Sequence, residues 1–580
     1  MSKHFLTDPK TLVKDSLHGL VVSNPHLVLD EAQKVIYPKN LSVVRQKQVT
    51  LFCGGGSGHE PAHAGFVGPG MLTASVSGHV FASPTSSQVL SCLRRIYSTD
   101  HGTLVVIKNY TGDVLNFGRA VERFKSERAN ARKPPPHIAM VVVDDDVGVV
   151  NPNDDAEGGV GRRGLAGTVL VYKIAGAMAV MGGTLDKVKE LAEYTVKHTF
   201  TIGCALNAAS VPGIGMPRSL EDNEMEIGMG IHNEPGFETK TIEPARVLVP
   251  SLVRHIVDSL PFKKVSGGKT GRVVLLVNNL GATSNIEMGL VTKLATEATR
   301  DAGFDPVRIF SGTYMTGLAM PGISITLTLV PDGEIEGAHF LALVDQPAFC
   351  SGWTNHTHVE DAGCTDEAAQ GPATHVMPAR DAQWESVIST AYHSVVSAEP
   401  EVTHLDQVMG DGDCGQVLLS GATAIFEASS SAQLPLNDPP AALARISSLV
   451  EDAMGGTSGI IYCLFLDGLA QQLHHVDSSA LTPRVWGKTM LGALETLYQY
   501  TTARPGHRTL IDALEPFART LESTGSLTEA LEAAIKGADD TKHMLPKRGR
   551  AVYVQQKENL ADAGAVGLIS VLKGIVSALQ

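Results

Sequence analysis

The sequence of 580 residues has few aromatic residues, no closely paired cysteines and no long apolar run. Its seven cysteines lie far apart without a CxxC pair, which argues against both a zinc site and a disulfide framework. No stretch approaches the roughly 18 continuous apolar residues of a transmembrane helix, and the first residues lack the apolar segment of a signal peptide. We therefore expect a soluble cytoplasmic protein with reduced thiols.

Positive charge is also scarce. The 47 Lys and Arg residues against 61 Asp and Glu residues give a formal net charge of −14 without blocks of like charge. This distribution argues against nucleic acid or an anionic membrane as a partner. Glycine, by contrast, is abundant at 58 residues, which suits an α/β protein with many tight turns. The length exceeds what one hydrophobic core supports, so we expect about two to four domains.

Up to about residue 350, short apolar runs alternate with helical patterns. The predicted strands are 49–56, 103–113, 137–146, 272–281 and 323–330. Near-continuous apolar strands separated by helices predict parallel sheets covered on both faces. In such sheets ligands bind at the carboxyl ends of the strands, where glycine and polar clusters follow here.

The pattern of predicted secondary structure changes after residue 350. Residues 351–378 show no periodicity and are rich in small, polar and turn-forming residues, which predicts a linker. Residues 379–580 are predicted to be all-helical, and Ser526 and Glu529 have the spacing of a capping box. The predicted helices are 384–398, 440–454, 487–500, 526–535 and 562–579.

The glycine run at 54–58 continues into His59, Glu60 and Pro61. A P-loop would need Lys followed by Ser or Thr, and a dinucleotide fingerprint would need GxGxxG opening a helix without an early proline. The residues themselves therefore argue against ATP at this loop. Two interpretations stay open, a tight turn in which glycines permit positive φ and a loop that holds another ligand.

Lys108 and Asp113 follow a predicted strand and would emerge at the same sheet edge as His59. A lysine, a carboxylate and an imidazole suit a small polyol, because the latter two accept hydroxyl protons and lysine polarises an oxygen. A helix N-cap is the alternative for Asp113. His232 lies between glycines and acidic residues, a setting that fits a catalyst or an ordinary surface or core histidine.

Three carboxylates, Asp406, Asp411 and Asp413, fall within eight residues. They would repel one another unless solvated or neutralised by a cation, and Mg²⁺ prefers such oxygen ligands together with phosphate. An EF-hand needs Glu at its twelfth position, where counting from Asp406 and from Asp411 gives Val417 and Ala422. A solvated turn is the remaining alternative.

Three further clusters could accompany this metal. Residues 454–459 (MGGTSG) are small and rich in hydroxyl groups, 549–551 supply an arginine, and 562–564 form another turn. Exposed N–H groups and hydroxyls at a helix end can bind phosphate oxygens. Each cluster is a weak signal alone.

Together these segments resemble the dihydroxyacetone kinase family in its single-chain ATP-dependent form, whose members include yeast dihydroxyacetone kinases and triokinase/FMN cyclase. The resemblance spans almost the whole chain in the family's order. The motifs that carry it are GGGSGHEPAHAGFVGPGML, VFASP, VIKNYTGDVLNFGRA, GRRGLAGTVL, EIGMGIHNEPG, VNNLG, MPGIS, GDGDCG, MGGTSG and PGHRTLIDAL.

The resemblance implies an α/β substrate domain of two α/β subdomains at 1–350, a linker at 351–378 and an eight-helix-barrel nucleotide domain at 379–580. It implies that His232 forms a covalent hemiaminal with dihydroxyacetone, with Asp113 and His59 as acid–base partners. The implied substrate contacts are Gly54, Gly55, Gly56, Ser57, Ser83, Lys108 and Asp113.

For the nucleotide domain the resemblance implies ATP and Mg²⁺, the metal being held by Asp406, Asp411 and Asp413. The residues implied to line the nucleotide are Cys414, Gly415, Gln416, Val417, Thr457, Ser458, Thr509, Leu510, Arg550, Asp562, Ala563 and Gly564. The chain departs from the family's usual GDRT at 506–509 and from DPG at 562–564. Both departures lie in the nucleotide region, so the resemblance does not fix the affinity for ATP. The acidic, glycine-rich stretch 144–161 is expected to be a surface loop without a role.

The resemblance thus predicts phosphorylation of dihydroxyacetone, and of D-glyceraldehyde, in a homodimer whose nucleotide domain faces the partner's substrate domain. Cleavage of FAD to riboflavin cyclic 4',5'-phosphate in the same nucleotide site is the alternative activity. A non-enzymatic carbonyl-binding protein is a third hypothesis, against which the intact aspartate triad argues.

Overall fold

The computed structural model describes residues 8, 10–149, 162–213, 215–216, 218–354, 378–410, 412–477, 480–547 and 559–580. Asp411, Arg550 and residues 355–377 of the predicted linker lie outside the described residues. Contacts divide the chain into two compact units, Met1–Cys364 and Thr365–Gln580, which are treated separately below.

The first unit contains two six-stranded sheets within its described residues. Its strands are β1 (Leu27–Asp30), β2 (Val35–Pro38), β3 (Thr50–Ser57), β4 (Ala74–Val80), β5 (Thr103–Lys108), β6 (Ile138–Val143), β7 (Thr199–Ala205), β8 (Glu224–Ile227), β9 (Glu238–Thr241), β10 (Arg272–Asn279), β11 (Asp305–Gly312) and β12 (Gly322–Leu329). Its helices are α1 (Leu12–Ser23), α2 (Leu41–Lys47), α3 (Ser86–Ile96), α4 (Thr111–Asn130), α5 (Thr168–Val180), α6 (Leu185–Lys197), α7 (Ala245–Asp258), α8 (Leu260–Ser266), α9 (Asn285–Asp301) and α10 (Glu334–Asp345), with a short 3₁₀ helix at Ala64–Phe66.

The first sheet has the strand order β1-β2-β4-β3-β5-β6. Its central strands β4, β3, β5 and β6 run parallel, and the edge strands β1 and β2 are antiparallel additions. Helices α3 and α4 cover one face with an apolar core that includes Phe52 and Phe117. The parallel arrangement brings the carboxyl ends of β3 and β5 to one edge, as the sequence predicts.

The second sheet differs from the expectation of parallel strands. In the part of the chain that the structure describes, its order is β11-β10-β12-β7-β8-β9, and β10–β11 is the one parallel pair among these six strands. Helix α9 connects those two strands, whereas β12 returns from β11 without a helix and runs antiparallel to β10. Strand β12 is buried along its whole length, so its apolar run could not reveal its direction.

Helix α5 explains why the two sheets form one unit. It is apolar on nearly every side, and eleven of its thirteen residues are buried. One continuous core joins it to Leu51 of β3 and Leu276 of β10. The functional strands of both sheets are therefore held by the same packing.

The stretch 144–161 is not wholly a surface loop, because Asp145 and Asp146 are completely buried. Asp145 accepts hydrogen bonds from the backbone N–H groups of Leu165 and Gly167, at 2.7 and 2.9 Å, and from the hydroxyl of Thr201. Its carboxylate therefore ties the segment after β6 to the second sheet. Residues 150–161 of this stretch lie outside the described residues.

The described part of the second unit is helical. Its eight α-helices are α11 (Ala382–Met409), α12 (Cys414–Ser430), α13 (Pro439–Ala453), α14 (Gly456–Leu473), α15 (Pro483–Tyr498), α16 (Ile511–Thr524), α17 (Leu527–Asp540) and α18 (Ala563–Leu579), with a short 3₁₀ helix at Thr541–His543. Each helix packs against the next, and α18 packs against α11. The helices therefore close into a ring, which confirms the predicted helical barrel.

All five predicted helices of this unit exist, and helices α12, α14 and α16 are additions to them. The predicted capping box is present in half, since the Ser526 hydroxyl accepts the Glu529 N–H at 3.3 Å at the start of α17. Inside the predicted linker 351–378, the Gly352 N–H donates to Gly65 O at 2.7 Å and Trp353 is buried, so the first residues of that segment pack in the first unit. Among the described residues no helix is long and apolar enough to cross a membrane.

Candidate active site

The predicted glycine loop is largely strand, because β3 continues through Gly54, Gly55, Gly56 and Ser57. A Cβ on Gly54 would lie 2.2 Å from Val76 O, and one on Gly56 would lie 2.7 Å from Ala82 N. Gly54 and Gly56 therefore permit close approach of neighbouring backbone. The Ser57 hydroxyl donates to Gly78 O at 3.1 Å, so this side chain is engaged in strand pairing.

Gly55 lies between these two glycines in the strand and therefore faces the opposite side of the sheet. A Cβ built on it would lie 3.3 Å from His63 Nε2, 3.4 Å from Asp113 Oδ2 and 3.5 Å from Lys108 Cε. The side of β3 that Gly55 faces is thus surrounded by polar side chains from three segments of the chain.

Lys108 is the last residue of β5, and Asp113 lies in the first turn of α4, where the helix N-terminus favours a carboxylate. Asp113 is therefore not the N-cap, which is Tyr110. Ser83 lies beside Gly112, where its Oγ would be 2.7 Å from an added Cβ, and burial raises the pKa of Asp113 although a hydrogen bond from the Ser83 hydroxyl partly offsets that rise. The structure thus brings the predicted residues Ser83, Lys108 and Asp113 together.

Several polar atoms of this cluster are buried without a hydrogen-bond partner. They are His63 Nε2, Lys108 Nζ and Asp113 Oδ1. Burial lowers the pKa of Lys108 and raises that of Asp113, and the opposite charge of each partly offsets the shift of the other. Unpartnered buried polar groups are costly, so this cluster provides donors and an acceptor for a small polar ligand.

His59 and His232 meet at this cluster although 173 residues separate them. Their Nε2 atoms lie 2.9 Å apart, and His59 Nδ1 lies 2.7 Å from Thr316 O. His59 is completely buried, and burial together with the charges of Lys108 and His232 holds its pKa well below the usual value. His59 is therefore neutral at physiological pH.

Glu234 binds His232 from the other side. One carboxylate oxygen lies 2.9 Å from His232 Nδ1, and the other accepts the backbone N–H of His232 at 2.9 Å. Burial raises the pKa of Glu234, but its bonds to His232 outweigh that effect and lower the value to about 2. The sequence contained this residue but gave no signal of its role.

Two aromatic rings pack edge-on against the His232 ring, Phe81 with centroids 5.4 Å apart and Tyr110 with centroids 4.6 Å apart. Phe81 also stacks on His59 at 5.3 Å. These contacts fix the planes of both imidazoles. Rigid rings at a polar, buried cluster suit a reaction that depends on nitrogen lone-pair direction.

Arg163 holds the segment that carries His232. Its guanidinium donates to Asp146 Oδ2 at 2.6 Å and to Gly228 O at 2.7 Å. Burial raises the pKa of Asp146 to about 6 even though Arg163 opposes that shift. Sequence reasoning missed both residues, because a salt bridge between distant segments leaves no local pattern.

His63 is another residue that the sequence did not single out. Its Nδ1 is bound by the Tyr172 hydroxyl and lies 3.4 Å from Cys53 Sγ, while its Nε2 faces the space beside Gly55. Burial and the charge of Lys108 hold its pKa well below the usual value, so the ring is neutral. Burial raises the pKa of the Tyr172 hydroxyl well above its usual value, and this hydroxyl donates to Cys53 Sγ at 3.3 Å, so His63, Tyr172 and Cys53 form one buried hydrogen-bonded group.

In the second unit the predicted nucleotide residues lie at the beginnings of alternate helices. Cys414–Val417 begin α12, Thr457 and Ser458 lie in the first turn of α14, Thr509 and Leu510 precede α16, and Asp562–Gly564 begin α18. Consecutive helices of the ring are antiparallel neighbours, so alternate helices begin at the same end. Four helix N-termini at one end form a favourable environment for anions.

Asp406, in the last turn of α11, organises the turn into α12. Its Oδ2 accepts the N–H groups of Gly412, Asp413 and Cys414 at 3.0, 3.0 and 3.1 Å. The pKa of Asp562 is raised to about 6, mainly by burial. The negative charge of Asp406 contributes to this rise. The end of α11 and the start of α18 are therefore close together.

Arg508 and Asp512 complete this end of the ring, and sequence reasoning missed both. Arg508 is buried, donates to Leu560 O at 2.9 Å and opposes the raised pKa of Asp562. Asp512 accepts the N–H groups of Gly506 and Thr509, the latter at 2.8 Å. This carboxylate shapes the turn in which the sequence departs from the usual GDRT of the family that it resembles.

The donor set at this end suits a hard divalent cation. The three N–H groups bind Oδ2 of Asp406, which leaves Oδ1 for a cation. The carboxylate of Asp413 makes no side-chain cap bond to α12. Carboxylate oxygens near helix N-termini match Mg²⁺ bound to phosphate. No group of three or more His, Cys, Asp or Glu side chains stands ready to hold a metal among the residues that the structure describes, which do not include Asp411.

Comparisons with known proteins cover both units. Residues 18–348 match the family model of the Dak1 domain, and residues 408–577 match that of the DAK2 domain. The chain is 37% identical to a dihydroxyacetone kinase of Pichia angusta, with 100% of this chain and 98% of the relative covered. It is 34% identical to triokinase/FMN cyclase of Mus musculus, with 100% and 99% covered.

A solved structure extends the comparison to the fold. The dihydroxyacetone kinase from C. freundii in complex with AMP-PNP and Mg²⁺ superposes with a TM-score of 0.64 at 29% identity, and the match covers all of both chains. The resemblance inferred from the motifs is therefore confirmed along the whole sequence. The chain belongs to the dihydroxyacetone kinase family, with a Dak1 domain followed by a DAK2 domain.

Proposed function

We propose that this protein transfers the γ-phosphoryl group of ATP to a hydroxyl group of dihydroxyacetone, and also of D-glyceraldehyde. One observation carries the proposal. Lys108 Nζ and Asp113 Oδ1 are buried without hydrogen-bond partners beside Gly55, and the His59–His232 pair adjoins them. A small molecule that combines a carbonyl with hydroxyl groups satisfies these groups together.

His232 is proposed to bind the carbonyl carbon of the substrate through Nε2, forming a hemiaminal. The proximity of His232 Nε2 to His59 Nε2, 2.9 Å away, supports this role, because a proton acceptor lies next to the nucleophile. Covalent capture selects ketones and aldehydes over glycerol, which has a similar size but no carbonyl.

Asp113 is proposed to accept the proton of the hydroxyl that attacks the γ-phosphorus. Its raised pKa suits a general base better than that of an exposed carboxylate, because proton affinity rises with the pKa. Lys108 keeps Asp113 ionised by its charge and donates to a substrate oxygen. Catalysis otherwise depends on positioning and charge neutralisation, as in other phosphoryl transfers.

The second unit is proposed to hold ATP and Mg²⁺ at the end where α12, α14, α16 and α18 begin. Asp406 and Asp413, with Asp411, would hold Mg²⁺, which neutralises phosphate charge when bound. The backbone N–H groups and hydroxyls of Thr457 and Ser458 are available to phosphate oxygens at the start of α14.

The acceptor and donor residues belong to different units. We therefore propose a homodimer in which the nucleotide unit of one subunit serves the substrate unit of its partner, as the family resemblance implies.

A coupled assay tests the proposed reaction. Purified protein with Mg-ATP should convert dihydroxyacetone to its phosphate with stoichiometric ADP, and glycerol should give no ADP above background. Asp113→Asn should lower kcat by at least about 100-fold, the usual contribution of a general base. Absence of dihydroxyacetone-dependent ADP formation would refute the proposal.

Cleavage of FAD to riboflavin cyclic 4',5'-phosphate is a second candidate activity. It is favoured by the relative named triokinase/FMN cyclase, which matches this chain along its full length. FAD with Mn²⁺ should then give the cyclic product by chromatography, and Asp413→Asn should abolish it. No product from a preparation with full kinase activity would exclude this candidate.

A further inference from the structure

The hydrogen bonds around His59 and His232 determine where protons lie. His59 Nδ1 is 2.7 Å from Thr316 O, which can only accept, so Nδ1 carries a proton. His59 is buried and neutral, since burial lowers its pKa. Its Nε2 therefore presents a lone pair toward His232 Nε2, 2.9 Å away.

The same reasoning applies to His232. Because His59 Nε2 accepts, His232 Nε2 must be the donor across the 2.9 Å contact. Its Nδ1 lies 2.9 Å from Glu234, whose other carboxylate oxygen accepts the His232 backbone N–H. An ionised carboxylate accepts only, so Nδ1 also carries a proton.

We infer that Glu234 is a positioning residue that holds His232 as an imidazolium in the resting protein and keeps the ring charge balanced while His232 captures the substrate. The rings of His59 and His232 together carry three N–H protons, whereas two neutral imidazoles carry two. The pair therefore has one positive charge, which Glu234 neutralises. This inference rests on the proposed capture at His232, and it adds a residue and a charge state to it.

Capture then proceeds with a balanced proton transfer. The Nε2 proton of His232 moves to the lone pair of His59 Nε2, which frees the Nε2 lone pair of His232. That lone pair forms the N–C bond, the π electrons of the carbonyl move to oxygen, and this oxygen takes the proton from His59. The product is a neutral hydroxyl on an N-alkylated imidazolium that Glu234 still neutralises, so no external base or co-reactant is needed.

Other charged groups face this pair from neighbouring elements. Lys108 and Asp113 lie at the β5–α4 edge, and the charge of His232 opposes the raised pKa of Asp113. Tyr110 packs against the His232 ring, and Arg163 approaches Glu234 from the segment before α5. Glu234 is the carboxylate bound directly to the His232 ring, which makes it the decisive counter-charge.

The resting charge can be measured without substrate. ¹⁵N-histidine labelling of the full protein, with His232 assigned by its loss in His232→Gln, should show two N–H ring nitrogens on His232 at pH 7.5. In Glu234→Gln the same ring should carry one proton at that pH. A wild-type His232 with a single ring proton would overturn the inference.

Capture gives a second test. Binding of dihydroxyacetone without nucleotide should weaken about 10-fold or more in Glu234→Gln, whereas Glu238→Gln, an exposed glutamate on the nearby β9, should bind as wild type. Equal affinity in Glu234→Gln and wild type would also overturn the inference. If Glu234→Gln fails to fold, the wild-type NMR result alone decides.

The two measurements separate this inference from the proposed function. A charged His232 in protein that never binds dihydroxyacetone refutes the proposed function and leaves the ion pair standing. A neutral His232 in protein that binds and phosphorylates the substrate refutes the ion pair and leaves the proposed function standing.

Discussion

Neighbouring glycines of β3 have different structural roles, although they form one run in the sequence. Gly54 and Gly56 allow neighbouring backbone to approach closely, whereas Gly55 faces the side chains of His63, Lys108 and Asp113. Strand alternation produces this difference, because successive residues point to opposite faces. A motif of three glycines therefore combines a packing requirement with a functional one.

Substitution of these glycines separates the two requirements. Gly54→Ala should destabilise the protein by about 3 kcal/mol or more, since its Cβ would lie 2.2 Å from Val76 O. Gly55→Ala should change stability by less than about 1 kcal/mol, because its contacts of 3.3 Å and longer need only small shifts. Its methyl group should nevertheless raise KM for dihydroxyacetone about 10-fold. Thermal unfolding and steady-state kinetics check both, and unchanged kinetics in Gly55→Ala would contradict the assigned site.

Glu234 should contribute to stability in a defined pH window. Its pKa falls from 4.5 to about 2 in the folded protein, so its contribution is present above about pH 4.5 and is lost as pH falls toward 2. The wild type should exceed Glu234→Gln by about 1–3 kcal/mol near neutral pH, a range that allows for solvent screening of this partly exposed pair. Denaturant unfolding between pH 3 and 7 measures the difference, which should shrink on acidification. A pH-independent difference would contradict the ion pair.

Sequence reasoning found the residues that follow strands and missed those that reach the site through packing. His59 follows β3, Lys108 is the last residue of β5 and Asp113 follows it, and the carboxyl ends of these two strands meet at one edge. His63 and Arg163 enter through contacts with Tyr172 and Asp146, more than 15 residues away in sequence. Long-range pairing of this kind depends on the fold and leaves no local periodicity.

At the scale of elements, the carboxylate of Asp406 is what shapes the start of α12. Its Oδ2 binds three successive N–H groups, while Asp413 makes no cap bond. Two aspartates proposed for the same metal thus differ in their structural contribution.

Replacement of these aspartates should reveal that difference. Asp406→Asn should lower the stability of the nucleotide-free protein by about 1–2 kcal/mol, because charged acceptors bind N–H groups more strongly than neutral ones. Asp413→Asn should leave that stability unchanged within about 0.5 kcal/mol. Both should remove most of the thermal stabilisation that Mg-ATP gives. Equal destabilisation of the nucleotide-free protein by both substitutions would contradict this division of roles.

The sequence predicted most helices of the second unit but not the direction of the strands in the second sheet. Helical periodicity identified α11, α13, α15, α17 and α18 because each buries one face. Helices α12 and α14 begin within the Gly- and Asp-rich motifs that sequence reasoning treated as ligand clusters. The antiparallel order of the second sheet escaped prediction because buried strands look alike in either direction.

At the scale of the whole molecule, the two units have separate hydrophobic cores and carry different candidate sites. The polar cluster that suits the acceptor lies in Met1–Cys364, and the ring of helix N-termini lies in Thr365–Gln580. The proposed reaction therefore requires a substrate unit and a nucleotide unit to come together, within one chain or between two.

Mixing two inactive variants distinguishes these possibilities. His232→Ala removes capture and Asp413→Ala weakens nucleotide binding, each leaving the other unit intact. In the proposed homodimer, co-expressed chains should regain up to about a quarter of wild-type activity, since mixed dimers pair one intact unit of each kind. Each variant alone sets the baseline, and no recovery in dimers that demonstrably contain both chains would show that each chain uses its own two units.

We propose that His232 binds the carbonyl carbon of a short sugar, which is then phosphorylated by ATP. Adding [2-¹³C]dihydroxyacetone to the full protein and recording ¹³C NMR tests it most directly. We expect a bound signal in the range of tetrahedral carbon that disappears in His232→Ala and is consumed when Mg-ATP is added. A bound signal that stays in the carbonyl range in protein that phosphorylates dihydroxyacetone would contradict it.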